Sequence, residues 1–257
     1  FSNGKMTSWK FDGENIIAQG PDFNSYRKVD NDRNFSPDFT NSTSVSVTGA
    51  LAKSGNKATM SVSGYAYSCS YTIDYTFYAD ATVDMKVTFS PSGNLARMGL
   101  GMQFAEGMED VEYYGRGPWS NYSDRKTGSF LGRYQTTVDD MVDEMIHPQT
   151  YGDHQDMRDL TLRNLTNGLS LNVQTEGQVS FSLGHYDETR WCTYGDSMWN
   201  SQLHWYDLSR DPQIYAHFDY FQRGLGNNSC GGDSCLSEYT CPSWGSYSYT
   251  LRFTPTK

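Results

Sequence analysis

The chain has 257 residues, a formal net charge of −10 and a sequence pI of about 4.8, with no basic run along it, so a phosphate backbone or an anionic membrane would repel it. No stretch of about 18 apolar residues occurs, which excludes a membrane-spanning helix. Aromatic residues make up 15% of the chain, led by 19 Tyr, whereas hydrophobic residues as a whole reach only 37%. Rings with an apolar face and a polar edge suit the wet faces of large sheets and also sugar rings. A chain of this length is two small domains or one large all-β domain. Size scaling gives roughly 11,000 Å² exposed when folded against about 42,000 Å² unfolded, enough burial for a core without disulfides.

In chain order, residues 1–20 read as an opening hairpin, with Phe1, Met6, Trp9 and Phe11 before Asp12-Gly13 and Ile16-Ile17 after it. Residues 21–40 lose all periodicity and carry Pro21, Pro37 and the cluster Asp30-Asn31-Asp32, which marks a functional loop. From 43 to 90 the two-residue alternation is plain: Tyr71, Ile73, Tyr75 and Phe77 oppose Thr72, Asp74 and Thr76, and Val83, Met85, Val87 and Phe89 oppose Asp84, Lys86 and Thr88. These are antiparallel strands with one solvated face, joined by turns at Ser54-Gly55-Asn56 and Asp80-Ala81. Met98–Phe104 is a further strand, weakened by glycines that let another backbone approach.

Tyr113–Arg125 then reads as a turn dense in aromatic and hydrogen-bonding groups, Tyr-Tyr-Gly-Arg-Gly-Pro-Trp-Ser-Asn-Tyr-Ser-Asp-Arg. Its glycines and proline bring Trp119, Asn121, Tyr122, Asp124 and Arg125 together, either to meet a polyhydroxylated ligand or, with Arg125 and Asp124 tying the turn down, to pin it shut. Thr136–Met145 is the one stretch suited to a helical turn or two. Strands resume at Leu160–Leu162, Leu169–Val173, Val179–Leu183, Gln213–Tyr220 and Tyr247–Phe253. A dozen or so strands without helices imply two large antiparallel sheets packed face to face in one domain spanning 1–257.

Chemistry-bearing motifs are sparse. The histidines at 147, 154, 185, 204 and 217 lack a His-x-x-x-His spacing, and no Gly-x-Ser-x-Gly elbow exists. Glu106, Glu109, Asp110 and Glu112, like Asp143-Glu144 and Asp187-Glu188, read as solvated loop acids rather than an acid/base pair. His185 and His217 read as hydrogen-bonded sheet residues. Cys230, Cys235 and Cys241 fall in one glycine-rich loop, where a local disulfide fits an oxidising compartment, so a periplasmic or secreted location is favoured over the cytoplasm. Cys230-x₄-Cys235 meets only the upper edge of zinc-ligand spacing and has no second pair.

Tyr114–Gly128 closely resembles the signature of the C-terminal domain of glycoside hydrolase family 2 β-galactosidases, known as domain 5 or the small-chain domain. Gly20–Arg27 with Asp30-Asn31-Asp32, Thr137–Met141, Pro148-Gln149, Asp156-Met157-Arg158, Phe181–Tyr186 and Phe218–Gln222 with Gly224-Leu225-Gly226 continue the resemblance in order. It implies a large antiparallel supersandwich similar to galactose mutarotase, packed on a catalytic (β/α)₈ barrel that hydrolyses terminal β-galactosides with retention. The two catalytic glutamates, about 5 Å apart in such enzymes, belong to the barrel, so no catalytic residue and no cofactor is expected here; a divalent cation, Mg or Ca, is expected in the barrel. The resemblance also implies a wall of the galactoside pocket, with an aromatic position that falls on Tyr215; Asp30, Asn31 and Asp32 read either as a substrate-facing loop or as a hydrogen-bonded clamp on the sandwich, and Arg116, Trp119 and Asn121 as secondary contacts. A mobile loop falls on Arg33–Thr40. The family's acidic Gly-Gly-Asp-Asp-Ser-Trp becomes Gly226-Asn227-Asn228-Ser229-Cys230 here, which puts galactose specificity in question. The alternative from the residues alone is a free-standing carbohydrate-binding or interaction module.

Overall fold

A computed structural model describes residues 1–29, 32, 44–66, 68–191, 204–226 and 235–257. After a short hairpin, β1 (Lys10–Phe11) and β2 (Glu14–Asn15), come β3 (Ile17–Asn24), β4 (Ser44–Ser54), β5 (Lys57–Ala66), β6 (Cys69–Tyr78), β7 (Val83–Pro91) and β8 (Arg97–Phe104). The chain continues through β9 (Asp110–Gly117), β10 (Phe130–Thr137), β11 (Asp159–Arg163), β12 (Ser170–Glu176), β13 (Ser180–Gly184), the helical turn α1 (Glu188–Trp191), β14 (Ile214–Gln222) and β15 (Tyr247–Thr256). Among the described residues, one sheet has nine strands in the order β10-β9-β11-β12-β15-β7-β6-β5-β4, and the facing sheet has four, β13-β14-β8-β3. Every pairing within them is antiparallel.

The all-β sandwich is therefore the architecture the alternation predicts. The core lies between the sheets, where alternate residues of each strand meet. Phe218 of β14 packs edge-on against Phe253 of β15 at 5.9 Å, Tyr113 of β9 meets Phe181 of β13 at 5.2 Å, and Phe23 of β3 stacks on Tyr71 of β6 at 5.4 Å. Polar bonds also join the sheets: the Tyr249 hydroxyl donates to the Phe218 carbonyl at 2.8 Å, and the Tyr71 hydroxyl to Asp22 Oδ1 at 2.9 Å. The folded surface of 11945 Å² is close to the value size scaling predicts.

Three local expectations change. The stretch Tyr113–Gly117 is not a turn but the second half of β9, and the turn begins only at the cis Gly117–Pro118 peptide. Within Thr136–Met145 the helical part is a single 3₁₀ turn at Asp139–Met141, and Thr136 and Thr137 end β10. Cys241 is a buried thiol whose Sγ lies 3.8 Å from the Phe221 carbonyl, so a local bridge does not include it; Cys192 and Cys230 lie outside the described residues.

Candidate functional site

The four-stranded sheet places its functional side chains by simple alternation. In β14, Ile214, Ala216 and Phe218 enter the core and are fully buried, which turns Tyr215, His217 and Asp219 to the outer face. In β8, Met98, Leu100, Met102 and Phe104 point inward, leaving Arg97, Gly99, Gly101 and Gln103 outside. Strand register then assembles polar rows across the sheet. Ser180, Asp219, Gly99 and Asn24 form one row; Ser182, His217, Gly101 and Asp22 form the next; Gly184, Tyr215, Gln103 and Gln19 form the third. Glycine is required at 99 because a Cβ there would overlap the Asp219 carboxylate and the Phe218 carbonyl oxygen.

Over these rows lies a cavity of about 300 Å³ walled by Asp22, Asn24, Gln103, Tyr186, Glu188, Tyr215 and His217. The Tyr215 ring is half-buried, and its hydroxyl donates to Asp211 Oδ2 at 2.7 Å and accepts from Gln213 Nε2 at 3.0 Å. Partial burial, with Asp211 beside it, pushes the phenol up to about 12, so it stays a donor at neutral pH. His217 Nδ1 lies 2.8 Å from Asn24 Nδ2, where it accepts the amide proton. Enclosure by protein atoms and the nearby Arg97 charge hold its pKa well below the ordinary histidine value, and the imidazole is neutral.

Beneath the cavity floor sits a buried ionic cluster. Arg97, with no exposed surface, donates from Nε to Asp219 Oδ2 at 2.8 Å, and its Nη1 lies 3.9 Å from Glu188 Oε2. Glu188 also accepts from Thr150 Oγ1 at 2.7 Å and is only 8% exposed, so the expectation of a solvated Asp187-Glu188 loop fails for Glu188. The backbone turns into α1 there and swings the side chain inward onto Arg97. Burial raises both the Glu188 and the Asp219 carboxyl pKa.

Of the residues singled out from sequence, Asp32 is buried in a clamp: Arg27 Nε and Nη2 reach its two oxygens at 2.9 and 3.1 Å, and Arg223 Nη1 adds a contact at 2.9 Å. Asp30 and Asn31, with Arg33–Thr40 and Asn227–Cys230, lie outside the described residues. Arg116 pairs with Asp156 at 2.5 Å and donates from Nη1 to the Lys126 and Ser129 carbonyls at 3.0 and 3.1 Å. Asn121 Nδ2 donates to the Arg116 and Trp119 carbonyls at 3.1 and 3.0 Å, and its Oδ1 accepts the Gln155 amide at 3.0 Å. Trp119, by contrast, is 69% exposed.

The signature loop is a brace. Ser123 Oγ donates to the Gln222 carbonyl at 3.2 Å, Asp124 accepts the Leu225 and Gly226 amides at 3.1 and 2.8 Å, and Arg125 Nη2 donates to the Gly226 carbonyl at 2.5 Å. Arg27, from the loop that carries Asp32, donates to the carbonyls of Arg223 and Gly224 in the same segment. Signature loop and Asp32 clamp thus meet at the end of β14. Tyr215 belongs to a separate neighbourhood of Asp211, Gln213 and Arg190. Sequence reasoning missed Asn24, Glu188, Arg97 and Asp219 as site members, although the outward positions of β14 and β8 carried the signal.

A sequence model of the family described as "Beta galactosidase small chain" matches residues 1–253. A β-galactosidase of Staphylococcus xylosus is 32% identical over 155 residues, 59% of this chain and 14% of that protein. One from Lactococcus lactis is 29% identical over 184 residues, 70% of this chain and 17% of that protein; the chain thus spans under one fifth of the length of these relatives. A galactose mutarotase related enzyme from Lactobacillus acidophilus superimposes with a TM-score of 0.47 at 10% identity, covering 96% of this chain and 88% of that one. With all but the last few residues inside the family match, the chain belongs to the β-galactosidase small chain family.

Proposed function

We propose that the chain is the non-catalytic C-terminal domain, domain 5, of a family 2 retaining β-galactosidase, where it completes the galactoside pocket and packs on the catalytic barrel. The observation that carries this reading is the family match over residues 1–253, in a chain that corresponds to 14% and 17% of two β-galactosidases. The cavity beside Tyr215 supports the assignment of its floor to the pocket wall, since its amide, hydroxyl and imidazole groups can both donate to and accept from sugar hydroxyls. The acids there are engaged: Asp22 accepts from the Tyr71 hydroxyl and pairs with Lys5, Asp187 accepts from the Thr189 amide and hydroxyl, and Glu188 accepts from Thr150. Hydrolysis is therefore assigned to glutamates of the parent's barrel, with any Mg or Ca held there. The purified chain is expected to show no turnover of an aryl β-galactoside above a heat-treated control, whereas the full-length parent hydrolyses it. In the parent, Tyr215→Ala is expected to raise KM about tenfold, the loss of one stacking and hydrogen-bonding contact, while the circular dichroism spectrum stays unchanged; equal kinetic constants would remove Tyr215 from the pocket wall.

The cavity itself favours a second reading, a carbohydrate-binding module that acts without a catalytic partner. Calorimetric titration of the 257-residue chain with galactose and lactose separates the two. Millimolar or tighter binding by the chain alone supports the module, and binding restricted to the full-length parent supports the domain.

A further inference from the structure

Three guanidinium groups and four carboxylates are buried together at the end of the four-stranded sheet: Arg27, Arg97 and Arg223 against Asp32, Asp153, Glu188 and Asp219. The arginines pair with other acids, although Arg97 Nη1 and Nη2 make no hydrogen bond among the described residues and the Arg97 charge also faces Asp153. Arg27 and Arg223 hold Asp32, and Arg97 holds Asp219 with Glu188 at the edge of its reach. Asp153 is the acid left over. It has no exposed surface and no ion pair among the described residues; Gln155 Nε2 donates to its Oδ2 at 2.6 Å, and its Oδ1 has no partner. A buried carboxylate without a cation is costly, and such a group takes up a proton instead.

Asp153 also sits where a charge would matter. Its carbonyl accepts the Asn121 amide at 2.7 Å, the next residue pairs through both backbone groups with Phe181 of β13, and Gln155 N is held by Asn121 Oδ1. The 153–155 segment is thus the clasp between the signature loop and the sheet. The groups that face the Asp153 carboxyl are Asp219 of β14, Arg97 of β8, Ser180 of β13 and its own neighbour Gln155, with the buried Tyr122 of the signature loop also within range of its charge.

We propose that Asp153 is a proton site built into this clasp: the folded chain holds a proton on it, and releasing that proton loosens the signature loop from the four-stranded sheet. The proton occupies the position of the missing cation and gives the unpartnered oxygen a donor beside Ser180. Burial, with the Asp219 charge behind it, pushes the carboxyl up to about 7 from an ordinary 3.8. Between those values the folded chain keeps a proton that the unfolded chain has lost, so this group's contribution to stability falls as pH rises, by tenfold in the folding constant per pH unit. Neighbouring His154 works the other way. Its burial holds the imidazole down to about 4 from 6.5, and stability from that source rises with pH between the two values. The two slopes offset each other in the wild-type chain, so the measurement must be a difference.

Urea unfolding of the 257-residue chain and of Asp153→Asn, from about pH 5 to 8.5, provides it, because the amide reproduces the protonated carboxyl at every pH. The wild-type folding constant should fall tenfold per pH unit relative to Asp153→Asn up to about pH 7, then run parallel. After correction for intrinsic base-catalysed exchange, protection of the Asn121 and Gln155 amides should fall as pH rises through about 7 in the wild type and stay level in Asp153→Asn. Parallel stability curves throughout would overturn the proposal. So would a stability gain at pH 8.5 when potassium, sodium or calcium replaces tetramethylammonium at constant ionic strength, if Asp153→Asn abolishes it, since a bound ion would then supply the charge. If the variant does not fold, titration of ¹³C-labelled aspartate in the wild type decides: a carboxyl midpoint near 7 upholds the site, and one below about 5 for every aspartate rejects it.

Discussion

Both sheets carry ordered rows of charge on their outer faces, and the two rows have opposite meanings. Across the nine-stranded sheet, Asp84, Arg252, Gln174, Asp159, Tyr114 and Arg133 stand side by side on six successive strands. Arg252 meets Asp84 through two contacts at 2.7 Å, Arg133 reaches Asp159 at 3.1 Å, and the Arg133 guanidinium lies over the Tyr114 ring at 5.8 Å. Arg252 and Arg133 keep about half of their side-chain surface in water. On the four-stranded sheet, Glu188 and Asp153 lie against Arg97 and Asp219, and neither Arg97 nor Asp219 has any exposed surface. Water screens the first row and is excluded from the second, so the same residue types tune solubility on one face and enforce a single arrangement on the other.

Breaking the covered row should have the largest effect. Arg97→Ala leaves Asp219 and Glu188 buried without a cation, a loss of about 3–5 kcal/mol. That is a large share of a typical domain's stability, and the chain is expected to accumulate as insoluble protein or to unfold at markedly lower urea. Arg97→Lys keeps the charge but not the fork of donors, and should recover only part of the loss. Gly99→Ala tests the same face without touching charge. The new methyl group must displace the Asp219 carboxylate and the Phe218 backbone, at about 1–3 kcal/mol, and the midpoint of urea unfolding should fall accordingly.

The alternation that makes both faces was legible in the residues, because a period of two needs only local sequence. Tyr215, His217 and Asp219 could be assigned to one face of β14 in the same way. What covers that face was not legible. Arg97 and Asp219 are 122 positions apart, and Arg27 reaches the carbonyl of Gly224 across 197; no spacing rule connects such residues. Glu188 shows the consequence, since Asp187-Glu188 looks like any acidic loop until α1 turns one of the two side chains onto Thr150 and Arg97. The signature loop was read by its composition as a ligand-facing turn or a pinned one. Hydrogen bonds between Ser123, Asp124 and Arg125 and residues 222–226 hold the loop down, and Trp119 is left as its exposed ring.

The exposed row offers the matching control. Arg252→Met keeps the aliphatic stem over the Tyr78 ring, which lies 5.7 Å from the guanidinium carbon, and removes only the charge. The pair with Asp84 has good two-point geometry, yet half of the arginine is in water, so the cost should stay below about 1 kcal/mol and shrink further in molar salt. Arg252, through its hydrogen bonds, holds the Asp84 carboxyl below its ordinary range. Its contribution is therefore present at neutral pH and is lost as pH falls below the ordinary carboxylate value of about 3.9. Urea unfolding of Arg252→Met at low and high salt, and at pH 7 and pH 3, should show the variant approaching the wild type both in salt and in acid. A loss as large as that of Arg97→Ala, unchanged by salt, would mean that the nine-stranded face is shielded from water as the other is, and that the difference between the two rows lies in something other than cover.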